Sequence, residues 1–129
     1  MMTGKLLIID DDGDFRDAVS TMLTSKGFEV LTAPNGKEGF AIAQKQMPDL
    51  ILLDVMMTHK TEGFDTARIF KDDEKTKNIP VVMVTGIKND MHLAYDFKPD
   101  EEWLPVKAVI EKPVNPEALL KIIEENIKK

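Results

Sequence analysis

Two four-residue apolar runs, Leu6-Leu7-Ile8-Ile9 and Leu50-Ile51-Leu52-Leu53, each stop on aspartate. The first opens into Asp10-Asp11-Asp12 and the second into Asp54. Side chains alternate between the two faces of a strand, so a run with no polar position is a strand buried on both faces. Strands of that kind belong to parallel sheets covered by helices. In open α/β sheets, ligands sit beyond the carboxyl ends of the strands. Acids at that end are therefore placed for chemistry.

The remaining chain continues the alternation of short apolar runs with segments of helical period, which predicts βα units around a parallel sheet. Phe28–Thr32, Val81–Val84 and Ala108–Ile110 complete a set of five strands. Phe15, Ala18, Val19, Met22 and Leu23 recur at helical spacing, and Gly27 supplies a stop. Asn35 with Glu38 three residues on forms an Asn-led capping box for a helix through about Gln46, ended by Pro48. Phe64, Ala67 and Phe70, with Ile69, predict a third helix after a loop from Asp54 to about Thr61. A weaker helical pattern around Met91, Ala94 and Tyr95 follows the fourth strand. Asn115-Pro116-Glu117 combines a capping residue, a proline at the first helical position and an acid suited to the helix dipole. Leu119, Ile122, Ile123 and Ile127 form the buried stripe behind it.

At 129 residues the chain is expected to form one domain spanning residues 1–129, with a real core and no output domain. Cysteine is absent, which excludes disulfides, thiolate nucleophiles and cysteine-based zinc sites, and is compatible with a cytoplasmic setting. The first apolar run is too short for a signal-peptide core or a membrane span, so no membrane is expected as a partner. The formal net charge of −6, without a basic block beyond Lys128-Lys129, repels phosphate backbones and argues against nucleic acid.

Strands one, three, four and five each lead into a polar residue suited to phosphate work: Asp10-Asp11, Asp54, Thr85 and Lys112. Carboxylates about 4 Å apart repel by about 4 kcal/mol at an effective dielectric near 20. A hard divalent cation removes that cost. Magnesium, which takes one or two carboxylates together with waters and phosphate oxygens, suits Asp10, Asp11 and Asp54. Asp54 is then placed as a nucleophile on phosphorus. Lys112 suits the anionic group as a point charge, and the Thr85 hydroxyl can donate one hydrogen bond to it.

With these residues in this order, the chain resembles a response-regulator receiver domain of two-component signalling, including the stand-alone chemotaxis type, over nearly its whole length. The resemblance implies a flavodoxin-like (βα)5 doubly wound α/β fold, with a five-stranded parallel sheet in the order 2-1-3-4-5 and helices on both faces. It implies that Asp10 and Asp11 hold Mg2+ together with Asp54 and the backbone carbonyl of Met56. Asp54 would accept phosphoryl from a sensor histidine kinase or histidine phosphotransfer protein, and Thr85 and Lys112 would contact the transferred group. A receiver of this kind catalyses only its own phosphorylation and dephosphorylation. It passes its output to a downstream protein target, as a monomer or a weak phosphorylation-dependent dimer.

The chain departs from the family pattern in places. Met57 is followed by Thr58 rather than proline, and His59-Lys60-Thr61-Glu62 lengthens the approach to Gly63. Val109 stands where many receivers carry an aromatic, and the stretch between Thr85 and Lys112, with Trp103 in an acidic loop, is longer than usual. These departures leave open an interaction module that works without phosphorylation. A small phosphatase of the haloacid dehalogenase class is disfavoured, because its signature places Thr or Val where Asp14 stands. Asp12 and Asp14 read as helix caps and dipole partners, His59 and His92 as surface residues, and Met22, Met47 and Met83 as core filling. Trp103 reads as a plug between the last two helices, with a partner anchor as the alternative.

Overall fold

The structure is a computed structural model and describes residues 4–54, 62–85, 108–111 and 115–127, with the side chains of 62–65, 85, 108, 109 and 111 excepted. Its elements run β1 (Lys5–Ile9), α1 (Gly13–Ser25), β2 (Glu29–Ala33), α2 (Gly36–Gln46), β3 (Leu50–Asp54), α3 (Glu62–Asp72), β4 (Val81–Thr85), β5 (Ala108–Glu111) and α4 (Pro116–Asn126). All four strand pairings are parallel, and the sheet order is β2-β1-β3-β4-β5. That is the flavodoxin-like order the resemblance implied. The patterns around Met91, Ala94 and Tyr95 and around Trp103 lie outside the described residues, as do His59 and His92.

Alternation along the strands separates two apolar layers. Leu7, Ile9, Ile51, Leu53, Val81 and Met83 face one side, where Ala43 of α2 and Ala67 and Phe70 of α3 cover them. Leu6, Ile8, Leu50, Leu52 and Val82 face the other, under Val19 and Leu23 of α1 and Leu119 and Ile123 of α4. The apolar residues of β1 from Leu6 and all of β3 are at most 1% exposed, apart from Asp54 at 3%, which is why these two strands carry no interior polar position. β2 lies at an edge of the sheet and keeps Glu29 and Thr32 exposed. Each fully buried Leu, Ile or Val contributes about 1.5–3 kcal/mol, so these layers dominate the stability.

The helix ends follow their sequence signals. Asp12 caps α1 by accepting from the Asp14 and Phe15 amides. At the other end Gly27 adopts φ 103°, and the Phe28 and Gly27 amides donate to the Leu23 and Thr24 carbonyls, a Schellman closure that needs a left-handed residue. Asn35 caps α2 through the Glu38 amide, and its own amide donates to the Glu38 carboxylate at 3.1 Å. Asn115 caps α4 ahead of Pro116.

Three apolar expectations fail. Met47 is 45% exposed and is the C-cap of α2 at φ 51°, because Pro48 disfavours the right-handed helical region for the residue before it. Ile69 is 49% exposed, one position off the face that buries Ala67 and Phe70. Ala18 is exposed, since Val19 and Leu23 with half-buried Phe15 and Met22 already fill the contact of α1 with the sheet.

Candidate functional site

Strand register assembles the acids. β1 and β3 are neighbours with Ile9 paired to Leu53, so Asp10 and Asp54 are the next residues on adjacent strands. The order of strand succession reverses here, since β2 lies on one side of β1 and β3 on the other while all run parallel, and such a switch point opens a crevice at the carboxyl ends. One carboxylate oxygen from each of Asp10, Asp11 and Asp54 lies within 4.8 Å of the other two. Asp10 is 1% and Asp54 3% exposed, whereas Asp11 faces solvent.

The loop after β1 is held by its own polar groups. The Asp10 amide donates to the Ala33 carbonyl at 3.1 Å, tying the end of β1 to the end of β2. Asp10 Oδ1 accepts from the Asp12 amide at 2.9 Å, a turn of the kind aspartate makes two residues ahead of itself. Asp12 then caps α1, so the acids at positions 10 and 12 shape the turn. Arg16, on the first turn of α1, donates from Nη1 to the carbonyl oxygen of Asp10 at 2.6 Å.

The buried carboxylates of Asp10 and Asp54, when both are ionised within 4.8 Å, repel by roughly 3.5 kcal/mol at an effective dielectric near 20, and exposed Asp11, whose charge water screens, adds less. Burial of two of them makes relief by water alone inefficient. An all-oxygen, all-anionic donor set with one member open to solvent fits a hard divalent cation that keeps part of its water shell. The residues present therefore fit the metal expected at this position.

Of the other residues expected at the site, Thr85 is the last residue of β4, paired in register with Glu111 and one position beyond the Asp54–Val84 pair. Its backbone lies at the same sheet edge as the acids. Lys112 follows β5 in sequence and lies outside the described residues, as does Met56. The sequence reading did not single out Arg16. The available signal was its distance from the acids: helical side chains lean toward the N-terminus, so a long side chain on the first turn reaches back over the preceding loop.

The family model of the response regulator receiver domain matches residues 6–124, a span that contains every acid of this cluster together with Thr85 and Lys112. The chain belongs to that family. This receiver domain is 34% identical over 122 residues to the protein PilH of Pseudomonas aeruginosa, covering 92% of this chain and 93% of PilH. It is 34% identical over 124 residues to the phosphate regulon transcriptional regulatory protein PhoB of the same species, covering 86% of this chain and 54% of PhoB. It is 42% identical over 83 residues, 64% of this chain, to the DNA-binding dual master transcriptional regulator RpaA of Synechocystis. The match spans 34% of RpaA, so the chain covers about half or less of the length of these two regulators. Among solved structures, the chemotaxis protein CheY4 of Vibrio cholerae superposes with a TM-score of 0.81 at 30% identity, covering 98% of this chain and all of CheY4. The receiver domain is a signalling module, and its membership supports a phosphoacceptor switch. Among the described residues no helix is long and apolar enough to cross a membrane.

Proposed function

We propose that this receiver domain works as the phosphoacceptor switch of a two-component phosphorelay, with Asp54 as the acceptor. The observation that carries the reading is the meeting of Asp10, Asp11 and Asp54 within 4.8 Å at the ends of β1 and β3. Asp10, Asp11, Asp54 and the Met56 backbone carbonyl would hold Mg2+. When bound, the metal supplies positive charge against the carboxylates and the oxygens of an incoming phosphoryl group.

The chain's own residues do the rest. An Asp54 carboxylate oxygen attacks the phosphorus of a phosphohistidine on a sensor kinase or phosphotransfer protein. The new P–O bond forms as the P–N bond breaks, and its electron pair returns to the imidazole ring. Burial of Asp54 limits access of water to that oxygen. Lys112 pairs with the transferred group as a point charge, and the Thr85 hydroxyl donates one hydrogen bond to it. A phosphoryl group carries roughly 1.5 to 2 negative charges, enough to bias two pre-existing conformations of the domain. Output passes to a downstream protein, from a monomer or a weak phosphorylation-dependent dimer in the cytoplasm. With a net charge of −6 the chain suits neither nucleic acid nor an anionic membrane surface.

The test is intact-protein mass spectrometry after incubation with acetyl phosphate. Wild type is expected to gain one phosphoryl adduct with Mg2+ and none with a chelator, and Asp54→Asn is expected to gain none under either condition. An equal adduct on both proteins refutes the acceptor assignment. No adduct on wild type with Mg2+ favours the phosphorylation-independent module left open by Val109 and the loop after Asp54.

A further inference from the structure

We propose that Arg16 is a positioning residue for the acidic site. Its bond to the Asp10 carbonyl sets the peptide between Asp10 and Asp11, so that the Asp11 carboxylate meets Asp10 and Asp54 before a cation arrives. The inference rests on the metal-binding reading of those acids.

The three acids are held very differently. Asp54 belongs to β3 and is buried, so its strand pairing locates it. Asp10 is buried, bonded through its amide to Ala33 and through Oδ1 to the Asp12 amide. Asp11 is exposed, lies past the end of β1 and precedes the first residue of α1 by two positions. Yet its carboxylate lies within 4.8 Å of two others whose charge repels it. The peptide that delivers Asp11 is the one whose carbonyl Arg16 Nη1 grips at 2.6 Å, a short, charge-assisted bond.

Helix stability does not account for this placement. The guanidinium turns back over Gly13, the first residue of α1, where an added Cβ would stand 3.5 Å from Nη2. A cation there faces the positive end of the helix dipole, which disfavours it. The bond goes to a backbone oxygen, which leaves carboxylate oxygens for a cation. Groups that orient metal ligands without touching the ion typically change affinity by about 10–100-fold when removed.

The sign of the effect separates positioning from plain charge. If Arg16 acted only as a nearby positive charge, its removal would tighten Mg2+ binding. If it positions Asp11, removal weakens it. Isothermal titration of the metal-free protein with MgCl2 is expected to give about 10-fold weaker binding for Arg16→Met than for wild type, with partial recovery in Arg16→Lys, which keeps the charge and a hydrogen-bond donor without the planar fork. Unchanged or tighter binding by Arg16→Met overturns the inference, including the case in which only its melting temperature falls. Should Arg16→Met not fold, Arg16→Gln is read by the same rule. Asp11→Asn keeps the two readings apart. If wild type binds no Mg2+, or Asp11→Asn binds it as wild type does, the metal site itself fails and takes this inference with it. If binding is lost in Asp11→Asn and intact without the arginine, Arg16 alone is refuted.

Discussion

Gly39 shows how closely α2 approaches the strand that carries the site. A Cβ built there would lie 2.3 Å from Cδ1 and 2.6 Å from Cγ1 of Ile9, a fully buried residue next to Asp10. Gly39→Ala is therefore expected to destabilise the fold by about 1–3 kcal/mol in urea unfolding, since a packed core cannot take an extra methyl without a shift. The acids present the opposite case. Without metal, the exposed Asp11 adds repulsion to a buried pair, so Asp11→Asn is expected to stabilise the metal-free protein by up to about 1 kcal/mol at low salt. Thermal melts in EDTA at low and high ionic strength check this, and the gain should shrink as salt rises. At this scale the sequence showed which residue types were present, while the position of Arg16 against a carbonyl depended on the turn built by Asp10 and Asp12.

Helices α1, α2 and α4 of this receiver start on side-chain caps, and the caps were readable because capping is a local event within four residues. Asn35→Ala removes the acceptor of the Glu38 amide and is expected to cost about 1 kcal/mol of unfolding free energy. Glu38→Ala removes the exposed 3.1 Å contact to the Asn35 amide and a first-turn acid that suits the helix dipole, and is expected to cost less than Asn35→Ala because it leaves the backbone cap in place. Chemical denaturation of both variants decides the ranking. The strands extended by one residue relative to their apolar runs at β1, β3, β4 and β5, because the ladder continues into Lys5, Asp54, Thr85 and Glu111 whatever their polarity. At the end of α2 Met47 was expected as core filling and on α3 the helical spacing included Ile69, but proline geometry and a one-position offset turn them out.

For the molecule as a whole, the proposed metal site would link cation binding to folding through the same carboxylates. A cation that binds only the folded chain stabilises it by about 2.7 kcal/mol at a hundred times its dissociation constant. The melting temperature is therefore expected to rise with MgCl2 and to return to the metal-free value on chelation. Asp10→Asn should abolish most of the rise, since the amide keeps the acceptor for the Asp12 amide and loses the charge. A rise of equal size in that variant would place the stabilising ion elsewhere.

Local chemistry was sufficient for much of this. Uninterrupted apolar runs specify strands covered on both faces, periodic stripes specify helices, and Asn or Asp before them specifies their starts. These depend on neighbours along the chain and hold wherever the segment ends up. Tertiary structure alone decided the sheet register that brings Asp10 beside Asp54 and the exposed setting of Asp11 against two buried acids. Each of these joins residues through pairing or a fold-back of the chain, and their energies depend on distances that no one-dimensional pattern contains.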